Sequence, residues 1–202
     1  MRKKIAIFGL MLILGLGNLV MAEVCERIVP DGSPPVYSLP EKRNGHMLVY
    51  SMGGNEQFLF GGFGQNTNLW ILRYEGDTWR WENMFDKGDD TPSARGGHSG
   101  TFVSKGPGQD YIIVFGGSQS FLGVVSDSTT YKLLDPLNWV SEWEILGTTQ
   151  TAPSNAPPAM AEHTAVYDFN NKMVVFGGYT SISPVVIASS ETYTLDFSVD
   201  PA

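Results

Sequence analysis

Gln57-Phe58-Leu59-Phe60-Gly61-Gly62 returns as Tyr111-Ile112-Ile113-Val114-Phe115-Gly116-Gly117 and again as Met173-Val174-Val175-Phe176-Gly177-Gly178. Each copy is an apolar, β-branched and aromatic run that stops at a glycine pair. Such a run reads as a buried strand, and the glycines let the chain leave it through backbone angles that side chains oppose. Gly61 and Gly116 are 55 residues apart, and Gly116 and Gly177 are 61 apart. A supersecondary unit repeated at that period points to stacked units, each burying its faces against the next.

Working outward, each run sits in the same order of signals. A histidine comes before it: His46, His98 and His163. A short strand follows each histidine, at His46 to Ser51, Ser99 to Val103 and Thr164 to Asp168. Turn signals come next, at Gly53-Gly54, at Lys105 to Gly108, and at Asn170-Asn171. Beyond the glycine pair an aromatic residue opens a third strand: Trp70 in Asn68 to Tyr74, Tyr131 in Thr129 to Leu134, and Tyr193 in Glu191 to Phe197. A fourth strand is expected at Thr78 to Asn83 and at Val140 to Leu146, carrying Trp79 and Trp81, then Trp143. The third unit has no sequence left for a fourth strand. No apolar pattern of period 3.6 long enough for a helix follows the N-terminal leader.

Four short antiparallel strands per unit describe a propeller blade. The residues resemble the kelch-repeat β-propeller family, of which the central domain of galactose oxidase is one example. The resemblance rests on the three Phe-Gly-Gly copies, the aromatic after each, the fourth-strand Trp, and the Pro-x-x-Arg-x-x-His lead-in. That lead-in reads Pro92-Ser93-Ala94-Arg95-Gly96-Gly97-His98 in the second unit and Arg43-Asn44-Gly45-His46 in the first. In the third, Met160 stands where the arginine is expected. The resemblance implies an all-β fold of about three four-stranded antiparallel kelch-type blades, the last incomplete, forming an open arc or part of a larger propeller. The blades are expected at about 43–91, 92–158 and 159–202.

Residues 1–22 have the form of a cleavable secretory signal. Arg2, Lys3 and Lys4 precede an apolar run from Ile5 to Gly17, and Val20-Met21-Ala22 supplies small residues for cleavage. The expected location is secreted or periplasmic, the alternative being a chain anchored by an uncleaved leader. Without the leader, 10 basic residues face 21 acidic ones, which argues against nucleic acid or an anionic membrane as partner. Residues 23–42 are Pro-rich, with one extended run from Cys25 to Val29. Cys25 is the single cysteine. It lies outside the expected blades, which argues against the cysteine-linked copper chemistry of galactose oxidase, and no cofactor or metal is expected.

In a blade, the connections from second to third strand, and from one blade to the next, emerge on one face. Those loops are long here: Met84 to Gly96, Ser118 to Ser128, Gly147 to Glu162 and Tyr179 to Ser190. Long loops on a rigid scaffold are where binding resides. Two of them are apolar, with Phe121 and Leu122 in one, and Tyr179, Val185 and Val186 in the other. Arg43 and Arg95 share that rim, and are candidates for holding an acidic ligand or for pairing with an acid of the next blade. The three histidines occupy equivalent repeat positions, a structural pattern rather than a metal cluster. Nucleophile motifs are absent from the sequence. The expected function is a protein-binding module without catalysis of its own. The alternative is a carbohydrate-binding or sugar-converting propeller, resembling the periplasmic sialic acid epimerase. Open blade edges are a further expected route to self-association.

Overall fold

The structure is a computed structural model that describes residues 39–52, 54–63, 67–84, 88, 90–119, 128–138, 141–147, 157–181 and 185–197. The leader, most of the Pro-rich segment, the Cys25 to Val29 run, and Phe121 with Leu122 lie outside the described residues. What is described is all β. The first blade comprises β1 (Met47–Tyr50), β2 (Glu56–Phe60), β3 (Trp70–Glu75) and β4 (Thr78–Asn83). The second comprises β5 (Ser99–Val103), β6 (Tyr111–Phe115), β7 (Thr130–Leu134) and β8 (Trp143–Gly147). Both are four-stranded antiparallel sheets with the strands in chain order. The third blade contains β9 (Thr164–Tyr167), β10 (Lys172–Phe176) and β13 (Thr192–Asp196) in the order β9-β10-β13. Between its second and third strands lies a small hairpin, β11 (Tyr179–Ser181) with β12 (Ile187–Ala188). The expected strand positions hold to within a residue or two, except that the fourth strand of the second unit, expected from Val140, begins at Trp143. The hairpin was not among them.

Alternation along the central strand of each blade explains how the blades stack, because successive side chains point to opposite faces. Phe58 and Phe60 of β2 face the second blade, where they join Phe102, Ile112, Val114, Leu133 and Trp143 in one core. Phe58 stacks on Phe102, with centroids 5.7 Å apart and planes 8° from parallel, and Phe60 tilts against Trp143 at 5.3 Å. The alternate residues of β6, namely Tyr111, Ile113 and Phe115, point the other way, into a second core with Met160, Met173 and Val175 of the third blade. Strand β6 therefore lies between two cores and all five of its residues are buried. Strand β10 has a core on one side only, so its burial alternates and Phe176 is 53% exposed. The innermost strands carry the blade-to-blade contacts, β1 against β5 and β5 against β9.

Backbone hydrogen bonds lock the lead-in of each blade to the glycine pair of the blade before it. The Gly62 amide donates to the Arg95 carbonyl and the Gly117 amide to the Met160 carbonyl, both at 2.8 Å. A second chain of bonds runs from the Gly97 amide to the Gly45 carbonyl, and from the Glu162 amide to the Gly97 carbonyl, at 2.8 and 2.7 Å. Met160 thus does through its backbone what Arg95 does at the equivalent point.

The glycines at these junctions are not equivalent, and the difference is measurable. Gly61 has φ of +66°, and a Cβ there would lie 2.4 Å from His98 Cε1 and 2.8 Å from the Arg95 carbonyl oxygen. Gly177 has φ of +73°, but its nearest contact would be the Ser189 carbonyl oxygen at 3.7 Å. Gly61→Ala is expected to cost about 3 kcal/mol, the left-handed backbone penalty plus overpacking against the next blade. Gly177→Ala is expected to cost about 1 kcal/mol, the backbone penalty alone. Urea midpoints of the two variants check this, and equal losses would show that His98 does not press on Gly61.

Candidate functional site

The candidate site is the face on which lead-ins and post-glycine segments emerge together. Isolated antiparallel bridges pair Asn44 with Phe63, Gly96 with Ser118, and Ala161 with Tyr179. The same two segments therefore sit side by side in all three blades, and the long loops leave from this face. Phe63 lies over the seam between the first two blades. Cβ atoms at Gly45 and Gly96 would fall 2.9 and 2.6 Å from its ring, so glycine at both positions makes room for it.

Of the residues the sequence singles out, the two arginines turn inward. Arg95 is 2% exposed. Its Nε donates to the Ser93 carbonyl at 3.0 Å, Nη1 to the Gly116 carbonyl at 3.1 Å, and Nη2 to Ser93 Oγ at 2.9 Å and Tyr131 Oη at 3.2 Å. It also lies 4.8 Å from the centre of the Tyr131 ring. These four acceptors, two backbone carbonyls and two hydroxyls, belong to its own blade. Arg43 repeats the geometry, with Nε donating to the Glu41 carbonyl at 3.1 Å and Nη1 to the Gly61 carbonyl at 3.0 Å. Arg43 is only half-buried, and burial lowers its pKa against an opposing pull from Glu41. Its outer edge still faces the rim.

The histidines divide in the same way. His98 and His163 are buried between blades, each edge-on to a phenylalanine of the preceding glycine-pair strand: His98 on Phe60 at 5.6 Å and His163 on Phe115 at 5.3 Å. His163 Nε2 lies 2.7 Å from Ser99 Oγ. A serine on an imidazole is the beginning of a nucleophile and its base. Here both are buried, and the pair ties the second blade to the third. His46 is exposed. Among the described residues no three His, Cys, Asp or Glu side chains stand close enough to hold a metal ion.

What remains open on the face is the hairpin of the third blade. Tyr179 is half-buried at its base, its hydroxyl pKa raised by burial and by the charge of the exposed Glu162. Val185 and Val186 are each 64% exposed and Ile187 is 55% exposed. Three consecutive apolar residues in water is a costly surface arrangement that contact with another apolar surface would relieve.

Residues 27–200 match the family described as the Attractin/LZTR1 beta-propeller. This chain belongs to that family. Kelch domain-containing protein 2 of Homo sapiens is 27% identical over 154 residues, a stretch that covers 69% of this chain and 33% of that protein, and the Rattus norvegicus protein matches to the same extent. Among solved structures, the one titled "Structure of YjhT" superposes with a TM-score of 0.53 at 16% identity, covering 82% of this chain and 45% of its own. A chain of the cryo-EM structure of RAG with one melted and one unmelted RSS gives 0.53 at 17% identity, covering 81% and 54%. At those identities the structures establish the propeller fold alone. The chain spans about a third of the length of the curated relatives and about half of the structures. Kelch-type propellers generally bind proteins.

Proposed function

We propose that this chain is an exported kelch-repeat module that binds a protein partner through the long-loop face, without catalysis of its own. The observation that carries this reading is the hairpin between β10 and β13, with Val185, Val186 and Ile187 exposed together above a rigid blade. A protein interface takes its affinity from an apolar centre of this kind, set on a scaffold that loses little entropy on binding. Beside it stand the half-buried Tyr179 and the exposed Glu162, polar groups of the type that border such centres. Export rests on the basic, apolar and small-residue order of residues 1–22.

A photo-crosslinking residue at position 186 tests the face. It is expected to yield a discrete protein adduct in the source organism, and Val185→Ser with Ile187→Ser is expected to abolish that adduct. The same crosslinker at Phe169, exposed in the β9–β10 turn at the opposite end of the blade, serves as the control. Adducts of equal yield at both positions would place binding elsewhere. Selective capture on a glycan array, competing with the adduct, would favour the carbohydrate reading instead.

A further inference from the structure

The residue before each lead-in histidine turns the chain through a left-handed backbone. Gly45 and Gly97 both have φ of +66°, and Glu162 holds +55° at the equivalent point of the third blade. All three belong to one ladder of backbone bonds, from the Gly97 amide to the Gly45 carbonyl and from the Glu162 amide to the Gly97 carbonyl. Glycine makes this turn twice without penalty. Glutamate makes it against the steric cost that the left-handed region puts on any residue with a Cβ. The ladder uses only amides and carbonyls, so it gives no reason for a side chain at position 162. Strain of this kind persists where the side chain has a use.

The carboxylate rests on the second blade. A Cβ at Gly97 would fall 2.8 Å from Glu162 Oε1 and 3.2 Å from its Cδ, so the side chain crosses the joint between the second and third blades and lies over the Gly97 backbone. Both blades that form this seat are present. Glu162 is exposed, and among the described residues no hydrogen bond or ion pair engages its carboxylate. Tyr179 stands next to it, its backbone bonded in both directions to Ala161. Burial, and then the Glu162 charge, raise the pKa of the Tyr179 hydroxyl, which therefore stays neutral and able to accept a hydrogen bond. Inside the second blade a tyrosine already takes a guanidinium in this way, with Arg95 Nη2 donating to Tyr131 Oη at 3.2 Å.

We propose that Glu162, with the Tyr179 hydroxyl beside it, receives a basic side chain of the protein partner and so selects partners that carry one at that point. The inference rests on the loop-face reading for the existence of a partner, but the seat itself does not use the apolar hairpin. A carboxylate and a hydroxyl together give a guanidinium or ammonium group two acceptors, one of them charged. The formal net charge of the chain, −8, favours the approach of a basic partner.

Backbone NMR of the full chain, titrated with acetyl-arginine amide, tests the seat directly. Saturable shifts are expected at the amides of Gly97, Glu162 and Tyr179. Acetyl-citrulline amide, uncharged and of the same shape, is expected to give none, and so is the arginine probe on Glu162→Gln. Urea midpoints separate a binding glutamate from a structural one. Glu162→Gly is expected to raise the midpoint, because glycine takes the left-handed angle freely, while the arginine response is lost. In the crosslinking experiment at position 186, Glu162→Gln is expected to lower the adduct yield about tenfold, the scale of one hydrogen bond to a charged group. No shifts, equal shifts from citrulline, or shifts that persist in Glu162→Gln overturn the proposal. So does a midpoint that falls in Glu162→Gly. An adduct indifferent to Glu162→Gln also overturns it and leaves the loop-face reading standing. An arginine response in a chain that yields no adduct supports the seat and overturns the loop-face reading.

Discussion

Arg95→Ala is expected to destabilise the chain by about 3–5 kcal/mol, the scale of leaving the partners of a buried charge unpaired. The loss has identifiable parts. The Ser93 and Gly116 carbonyls and the Tyr131 hydroxyl would each lose a donor inside the blade, and the Tyr131 ring would lose the cation over its face. The Gly116 carbonyl belongs to the glycine pair, so the damage reaches the joint with the third blade. Arg95→Met is expected to cost less than Arg95→Ala, because a long apolar side chain fills the space. Met160, fully buried at the equivalent position of the third blade, shows that the site accepts one. Arg43→Ala is expected to cost about 1 kcal/mol, since water reaches its partners. Urea unfolding of the three variants gives the order directly. If Arg43→Ala proves as damaging as Arg95→Ala, the burial of Arg95 is not what makes it valuable.

The repeat was legible because its signals are properties of residue type. An apolar run into two glycines forces a strand and a left-handed exit wherever it occurs, and β5, β6 and β10 begin and end where the pattern places them. The roles of the arginines were not legible. A guanidinium is recognised from sequence by the acids near it, but Arg95 also donates to two carbonyls and two hydroxyls, groups that no charge pattern marks out. For the same reason nothing in the sequence distinguishes Ser99 from any other strand serine, until the third blade sets His163 against it. The hairpin of β11 and β12 was visible only as an apolar loop, since its pairing of Tyr179 with Ala188 spans too few residues to show a period.

Acid is expected to destabilise this protein already above the pH at which carboxylates protonate. Burial between the blades, with the Arg95 charge next in weight and His163 after it, pushes the His98 pKa from 6.5 down to about 3. Burial pushes His163 down to about 4, opposed in part by the Phe115 backbone. Both rings are therefore neutral when folded and take up a proton only once the chain unfolds and their pKa returns to about 6.5. The unfolded state binds more protons between those values, so stability rises with pH through that window. It is complete above about pH 6.5 and is lost as the pH falls toward 4. With both histidines contributing, the slope approaches about 2.7 kcal/mol per pH unit. A domain of ordinary stability, about 5–15 kcal/mol, would lose much of its margin by about pH 5. The His46 pKa is lowered in the same direction, by partial burial and then by the Arg43 charge. Urea midpoints between pH 7 and pH 4.5 should show the slope, and His98→Phe or His163→Gln should each halve it. A flat profile over that range, or a slope indifferent to both substitutions, would mean that the histidines are not held neutral between the blades.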